Sequence, residues 1–162
     1  MTNNTSNIIL ETKNLSIGYT VKKKPLVIQK NLNLELKTGV LTCILGNNGI
    51  GKSTLLRTLA TMQPALSGDV FIANKNSKNF GPNELSKKIS LVLTESVPPS
   101  NLSVYELVAL GRQPYTNWLG SLSDVDKNMV AEAMQQTQIT DLALHKIYEL
   151  SDGQKQRVMI AR

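Results

Sequence analysis

The sequence predicts an α/β fold of the phosphate-loop type, in which a strand feeds a glycine loop that opens a helix. Three observations predict it. Gly46-Asn47-Asn48-Gly49-Ile50-Gly51-Lys52-Ser53-Thr54 matches G-x-x-x-x-G-K-[ST] at every fixed position. Ahead of it, Val40-Leu41-Thr42-Cys43-Ile44-Leu45 is a short apolar run, the pattern of a buried parallel strand. Behind it, Leu55, Leu56, Leu59 and Met62 recur at helical spacing until Pro64 stops the pattern.

The other elements follow in chain order. Residues 8–19 and 26–36 read as antiparallel strands. The second alternates Leu32, Leu34 and Leu36 with Asn33, Glu35 and Lys37. Lys37-Thr38-Gly39 is the turn into the loop strand, and Ser67-Gly68 leads into a strand at Asp69–Ala73. Asn74–Pro82 is a polar loop, and Ile89-Ser90-Leu91-Val92-Leu93 is a further strand. Ser103-x-x-Glu106 is a capping box for a helix at Val104–Leu110, which Gly111 ends and Pro114 follows. Val125, Met129, Val130, Ala133 and Met134 form the apolar stripe of a second helix. Ser151-x-x-Gln154 caps a last one.

The chemistry of the loop comes from its backbone. Gly46, Gly49 and Gly51 admit the φ values that a tight anion cradle requires. Successive N–H groups, among them those of Asn47 and Asn48, then turn toward phosphate, helped by the positive end of the helix dipole. The motif gives Lys52 the β- and γ-phosphates, Ser53 a hydroxyl on Mg²⁺, and Thr54 a further phosphate contact.

Near the end, Leu150-Ser151-Asp152-Gly153-Gln154 runs into Lys155-Gln156-Arg157-Val158-Met159-Ile160-Ala161-Arg162. With the phosphate loop, this segment resembles the ABC-transporter ATPases, whose signature reads LSGGQ and continues into a helix. The resemblance covers nearly the whole chain. It implies a RecA-like core with an antiparallel β subdomain and a small helical subdomain. Residues 8–93 would form the β subdomain and loop core, 96–150 the helical subdomain, and 151–162 the signature helix. It also implies that ATP held by one copy meets Ser151, Gly153 and Gln154 of a second copy, and that Tyr19 stacks on adenine. Gly111-Arg112-Gln113-Pro114-Tyr115 is similar to the segment found in iron-siderophore, haem and cobalamin importers. Tyr115 and Trp118 suit either of two uses, facing a permease or packing the helical subdomain.

Two positions depart from the family pattern. Thr94 stands where the family has its glutamine, which touches Mg²⁺ and the attacking water; Glu95 follows it. Asp152 replaces a glycine of the signature. A carboxylate aimed at phosphate would repel it, so the side chain is expected to point away. The chain ends at Arg162, inside the signature helix. The family's Asp-Glu pair and switch histidine are absent, so the domain is read as truncated at its C-terminus. The missing strand would leave apolar surface exposed. Such a fragment is expected to hydrolyse ATP slowly or not at all.

Composition is consistent with a soluble domain. The chain has 162 residues, 41% hydrophobic, enough for one core. No apolar run approaches the roughly 20 residues that span a bilayer. Met1–Asn7 is polar and lacks the apolar centre of a signal peptide. Net charge is +6, with Lys22-Lys23-Lys24 the only basic run. No aromatic stripe accompanies it, so a solvated loop is favoured over a nucleic-acid patch. The single cysteine, Cys43, lies in the apolar run and is expected to be buried. The single histidine, His145, is expected at an exposed end of the short helix before the signature.

Together these features imply the ATP-binding subunit of an importer for an iron chelate, haem or cobalamin. Its partners would be a second ATPase copy, a membrane permease and a substrate-binding protein, and its place the cytoplasmic face of the membrane. A soluble ABC ATPase outside transport and a nucleotide-binding module without hydrolysis are the alternatives. A phosphate-loop kinase or GTPase is disfavoured by the signature.

Overall fold

The computed structural model describes residues 8–92 and 100–162 and divides into two compact units, one ending at Ser90 and the other running from Leu91 to Arg162. In the first, β1 (Ile8–Val21), β2 (Lys24–Leu32), β3 (Glu35–Lys37), β4 (Ser67–Ile72) and β5 (Lys75–Asn76) make an antiparallel sheet, with order β2-β1-β4-β5 and β3 also on β1. The helices here are α1 (Lys52–Leu59) and α2 (Pro82–Ser86). Leu15, Ile17, Leu59, Val70 and Ile72 form the core, with Leu15 and Ile17 fully buried. Each such side chain contributes about 1.5–3 kcal/mol relative to exposure.

The predicted strand over 26–36 is two strands. Its halves serve different parts of β1: β2 pairs with Leu15–Val21, and β3 with Ile8–Glu11. Buried Thr12 bridges the break, its hydroxyl donating to the Leu32 carbonyl at 2.9 Å and accepting the Leu34 N–H at 3.0 Å. The leucine alternation survives, Leu32, Leu34 and Leu36 being less exposed than their neighbours. Lys22 and Lys23, at φ 48° and 64°, form the exposed two-residue turn between β1 and β2. The polar loop predicted after Ala73 is more ordered than expected. Ala73 and Asn74 turn with positive φ into β5, and a 3₁₀ turn follows at Ser77–Asn79.

Three expectations fail for one reason. Val40–Leu45 pairs with no strand among the described residues, Leu41 and Leu45 are each 91% exposed, and Cys43 is exposed rather than buried. Residues 89–92 likewise join no sheet; Leu93 lies outside the described residues. A parallel strand is stable only when a neighbour takes up its N–H and C=O groups. Among the described residues, nothing lies alongside to do so.

The second unit is helical: α3 (Val104–Ala109), α4 (Asp124–Gln136) and α5 (Asp152–Ala161), with 3₁₀ segments at Leu110–Tyr115, Thr140–Leu142 and Ile147–Glu149. Its core gathers Val104, Leu107, Val108, Val130, Met134, Ile139, Ile147, Leu150 and Val158. The capping boxes of Ser103 with Glu106 and of Ser151 with Gln154 both form, and Ser123 with Asp126 adds a third. In α4, Val130 and Met134 face the core, but Val125 and Met129 are exposed; buried Asp126 takes inner space instead. The α-helix ends at Ala109, with Leu110 as its cap, one residue short of the expected Leu110 before Gly111. The chain continues as 3₁₀ turn through Pro114 to Tyr115. The glycine is needed because a β-carbon there would lie 1.8 Å from the Arg162 carbonyl oxygen.

Candidate functional site

The phosphate loop sits between the sheet and α1. Its helix starts at Lys52, and Gly51 precedes it at φ 106°, ψ 11°. A β-carbon at Gly51 would lie 2.5 Å from Cγ2 of Ile28. Only glycine supplies both the backbone angle and the room. The amides of Lys52, Ser53 and Thr54 begin the helix, so they have no carbonyl a turn earlier to bond to. They converge with the helix dipole, as an anion site requires.

Lys52 curls back over the loop. Its Nζ donates to the carbonyls of Gly46, at 2.7 Å, and Asn47, at 2.8 Å. This fixes a positive charge at the loop mouth and leaves the third ammonium proton for a ligand. Ser53 is exposed on the first turn; Thr54 is buried. Tyr19, Ile28, Asn48, Gly49, Gly51, Lys52, Ser53 and Thr54 line one cavity of about 320 Å³. That lies within the range of small-molecule sites.

Tyr19 lies beside the loop. Its hydroxyl lies 2.7 Å from the Thr54 hydroxyl, and the residue is 42% exposed. Ile28 and the Tyr19–Thr54 bond were not foreseen. Ile28 reads as one more β-strand apolar residue, and no spacing rule links positions 35 apart. The helix after the loop is shorter than predicted: Leu59 faces the core, Leu56 and Met62 are exposed, and Thr61 turns with φ 59°.

The donor set suits a nucleoside polyphosphate: first-turn amides, an ammonium, two hydroxyls and an aromatic ring in one cavity. Among the described residues no group of three or more His, Cys, Asp or Glu gathers to hold a metal. Mg²⁺ keeps several waters and takes few protein ligands beside phosphate oxygens, so the Ser53 hydroxyl fits it without such a cluster.

Ser151, Gly153 and Gln154 belong to the helical unit. Ser151 N–H donates to Gln154 Oε1 at 2.8 Å, and Ser151 Oγ accepts the Gln154 N–H at 3.3 Å. Gly153 is exposed, with open space where a β-carbon would be. Asp152 is fully exposed and lies 3.8 Å from Lys155 Nζ. Thr94 and Glu95 lie outside the described residues. His145 is exposed, between two 3₁₀ turns. Trp118 is 91% exposed, and Tyr115 stacks under the Arg112 guanidinium at 3.9 Å.

Arg112 also anchors the helical unit. Its Nε and Nη2 each lie 2.9 Å from Asp126 Oδ1. The Ser123 hydroxyl and this guanidinium hold the Asp126 carboxyl below the usual carboxylate range. Glu106 is lowered by the Ser103 backbone and hydroxyl. Among the described residues, no helix is long and apolar enough to cross a membrane.

Comparison with known proteins agrees with this geometry. The family model described as ABC transporter matches residues 29–162. The petrobactin import ATP-binding protein FpuD of Bacillus anthracis is 36% identical over 152 residues, covering 94% of this chain and 54% of FpuD. The ferric enterobactin transport ATP-binding protein FepC of Escherichia coli is also 36% identical, covering 94% and 55%. The chain therefore spans about half the length of these curated relatives. Among solved structures, a dimeric bacterial ABC transporter cassette superimposes with a TM-score of 0.79 at 29% identity, over 94% of this chain and 67% of that one. With a family model matched over most of its length and a cassette structure superimposed on nearly all of it, the chain belongs to the ABC transporter family, with the fold of its ATPase cassettes.

Proposed function

We propose that this chain is the nucleotide-binding part of an ATPase that powers import of an iron chelate, haem or cobalamin. The observation that carries the reading is the Lys52 ammonium, held by two loop carbonyls beside the amides that open α1. ATP would lie with its phosphates on Gly46–Thr54 and its base toward Tyr19. The Ser53 hydroxyl would hold Mg²⁺, which would supply positive charge to the phosphates. Lys52 offsets charge on the phosphoryl group as it transfers to water.

A second copy would bring Ser151, Gly153 and Gln154 to the γ-phosphate. The N-terminus of α5, where Ser151 and Gly153 are exposed and the positive end of the helix dipole lies, suits that role. Closure of the two copies would drive a permease, loaded by a substrate-binding protein, so the subunit would sit peripherally on the cytoplasmic face of the membrane. The petrobactin import and ferric enterobactin transport for which FpuD and FepC are named support the iron-chelate member of this cargo class.

The test is uptake of a labelled iron chelate, haem and cobalamin in cells lacking the gene. The full-length gene should restore uptake of one of them, and its Lys52→Ala variant should not. Uptake of all three unaffected by the deletion would overturn the transport reading.

A further inference from the structure

We propose that the Tyr19 hydroxyl is a strut against Thr54, which locks the aromatic ring as a fixed platform for the base of a purine nucleotide. The inference rests on the nucleotide-site reading above and adds a positioning role for one oxygen atom. It has three supports, all within the first unit.

The backbone at Tyr19 is held on both sides. β2 carries extra residues opposite Leu15–Gly18, where the pairing register shifts twice. Such bulges re-aim the side chains beside them. Gly18 passes so close to β2 that a β-carbon would lie 2.0 Å from the Leu26 carbonyl oxygen. The Gln63 side-chain amide, just beyond α1, donates to the Gly18 carbonyl at 3.0 Å. The chain entering Tyr19 is thus tied to β2 and to the segment after α1.

The far end of the side chain is held as well. The two hydroxyls are 2.7 Å apart, and Thr54 is only 4% exposed, on the first turn of α1. Thr54 cannot swing freely, because it is buried at the root of the loop. A phenylalanine at position 19 would fill the same space without this tie.

Between these two fixed ends Tyr19 is still 42% exposed as a residue and lines the loop cavity. The hydroxyl is tied to Thr54 while the residue still borders the cavity where a ligand would lie. A ring already fixed loses less rotamer freedom when a base stacks on it. The hydroxyl pair thus sets the distance between a base platform and the phosphate cradle.

The test compares ATP with inorganic tripolyphosphate, which has no base, by calorimetry on the full chain. Tyr19→Phe should weaken ATP binding about 2- to 10-fold, the loss of one neutral hydrogen bond, and leave tripolyphosphate binding unchanged. In a Thr54→Val background the same change should have no further effect on ATP. In a Thr54→Ser background, which keeps a hydroxyl, the effect of Tyr19→Phe should return. Equal weakening for both ligands, no weakening of ATP, or the same weakening with and without the Thr54 hydroxyl would each overturn the strut. Those outcomes leave the phosphate-loop reading standing. A parent chain that binds neither ligand overturns both.

Discussion

Replacing Gly51 by alanine should damage the fold and the site together, and the structure says by how much. Gly51 has φ 106°, beyond the left-handed basin that other residues occasionally visit. An alanine there costs about 1–2 kcal/mol from backbone strain. The added methyl also meets Ile28 Cγ2 at 2.5 Å, with Ile17 Cδ1 at 3.9 Å behind it. Ile28 must move, and overpacking of this kind costs about 1–3 kcal/mol. The total is about 2–5 kcal/mol, a large share of the roughly 5–15 kcal/mol that holds a domain folded. Gly49 is the internal control. It has φ 83° but no atom within 4 Å of a β-carbon, so Gly49→Ala carries only the backbone part, about 1–2 kcal/mol. Urea unfolding followed by far-UV circular dichroism measures both variants against the parent. A Gly51→Ala variant no less stable than Gly49→Ala would refute the steric argument and place Ile28 elsewhere.

Two further outcomes are expected. The carboxyls of Asp126, Glu106 and Asp69 are lowered in the folded state. Their stabilisation is present above the unfolded carboxylate pKa of about 4 and is lost as pH falls through the lower folded values. Lys127 is raised by Asp124, so its share is present below the unfolded lysine value and is lost as pH rises through the folded one. The urea midpoint should therefore fall in acid, and Asp126→Asn should flatten part of that fall; an unchanged acid slope would contradict the role of the Arg112–Asp126–Ser123 cluster. Leu41→Lys should change unfolding stability by no more than about 0.5 kcal/mol, as for a surface site, while raising solubility. A loss above about 1 kcal/mol would show that Val40–Leu45 is packed after all.

Legibility in the sequence followed the range of each interaction. The phosphate loop and the capping boxes at Ser103 and Ser151 were readable because each is built from residues within a few positions of one another. The β1–β2 turn was readable only as an exposed lysine loop; its positive φ values have no compositional sign. The apolar run at Val40–Leu45 was read as a buried strand because periodicity records what a segment is suited to, not whether a neighbour is there to pair with it. The break between β2 and β3 depends on Thr12, twenty residues from the Leu32 carbonyl it bonds. The end of α3 before Gly111 was legible, but the Arg162 backbone packed against that glycine was not, because the two lie about fifty residues apart. Tyr19 could be placed beside the site only through the family resemblance; its bond to Thr54 and the role of Ile28 are products of the sheet register.

The most direct test of the central claim is ATP binding to the purified chain by calorimetry, with and without Mg²⁺, beside Lys52→Ala. The structure predicts saturable binding by the parent and its loss in the variant, because the ammonium fixed over Gly46 and Asn47 is then gone. Equal binding by parent and variant, or none by the parent, would contradict the claim that Gly46–Thr54 is a formed nucleotide site.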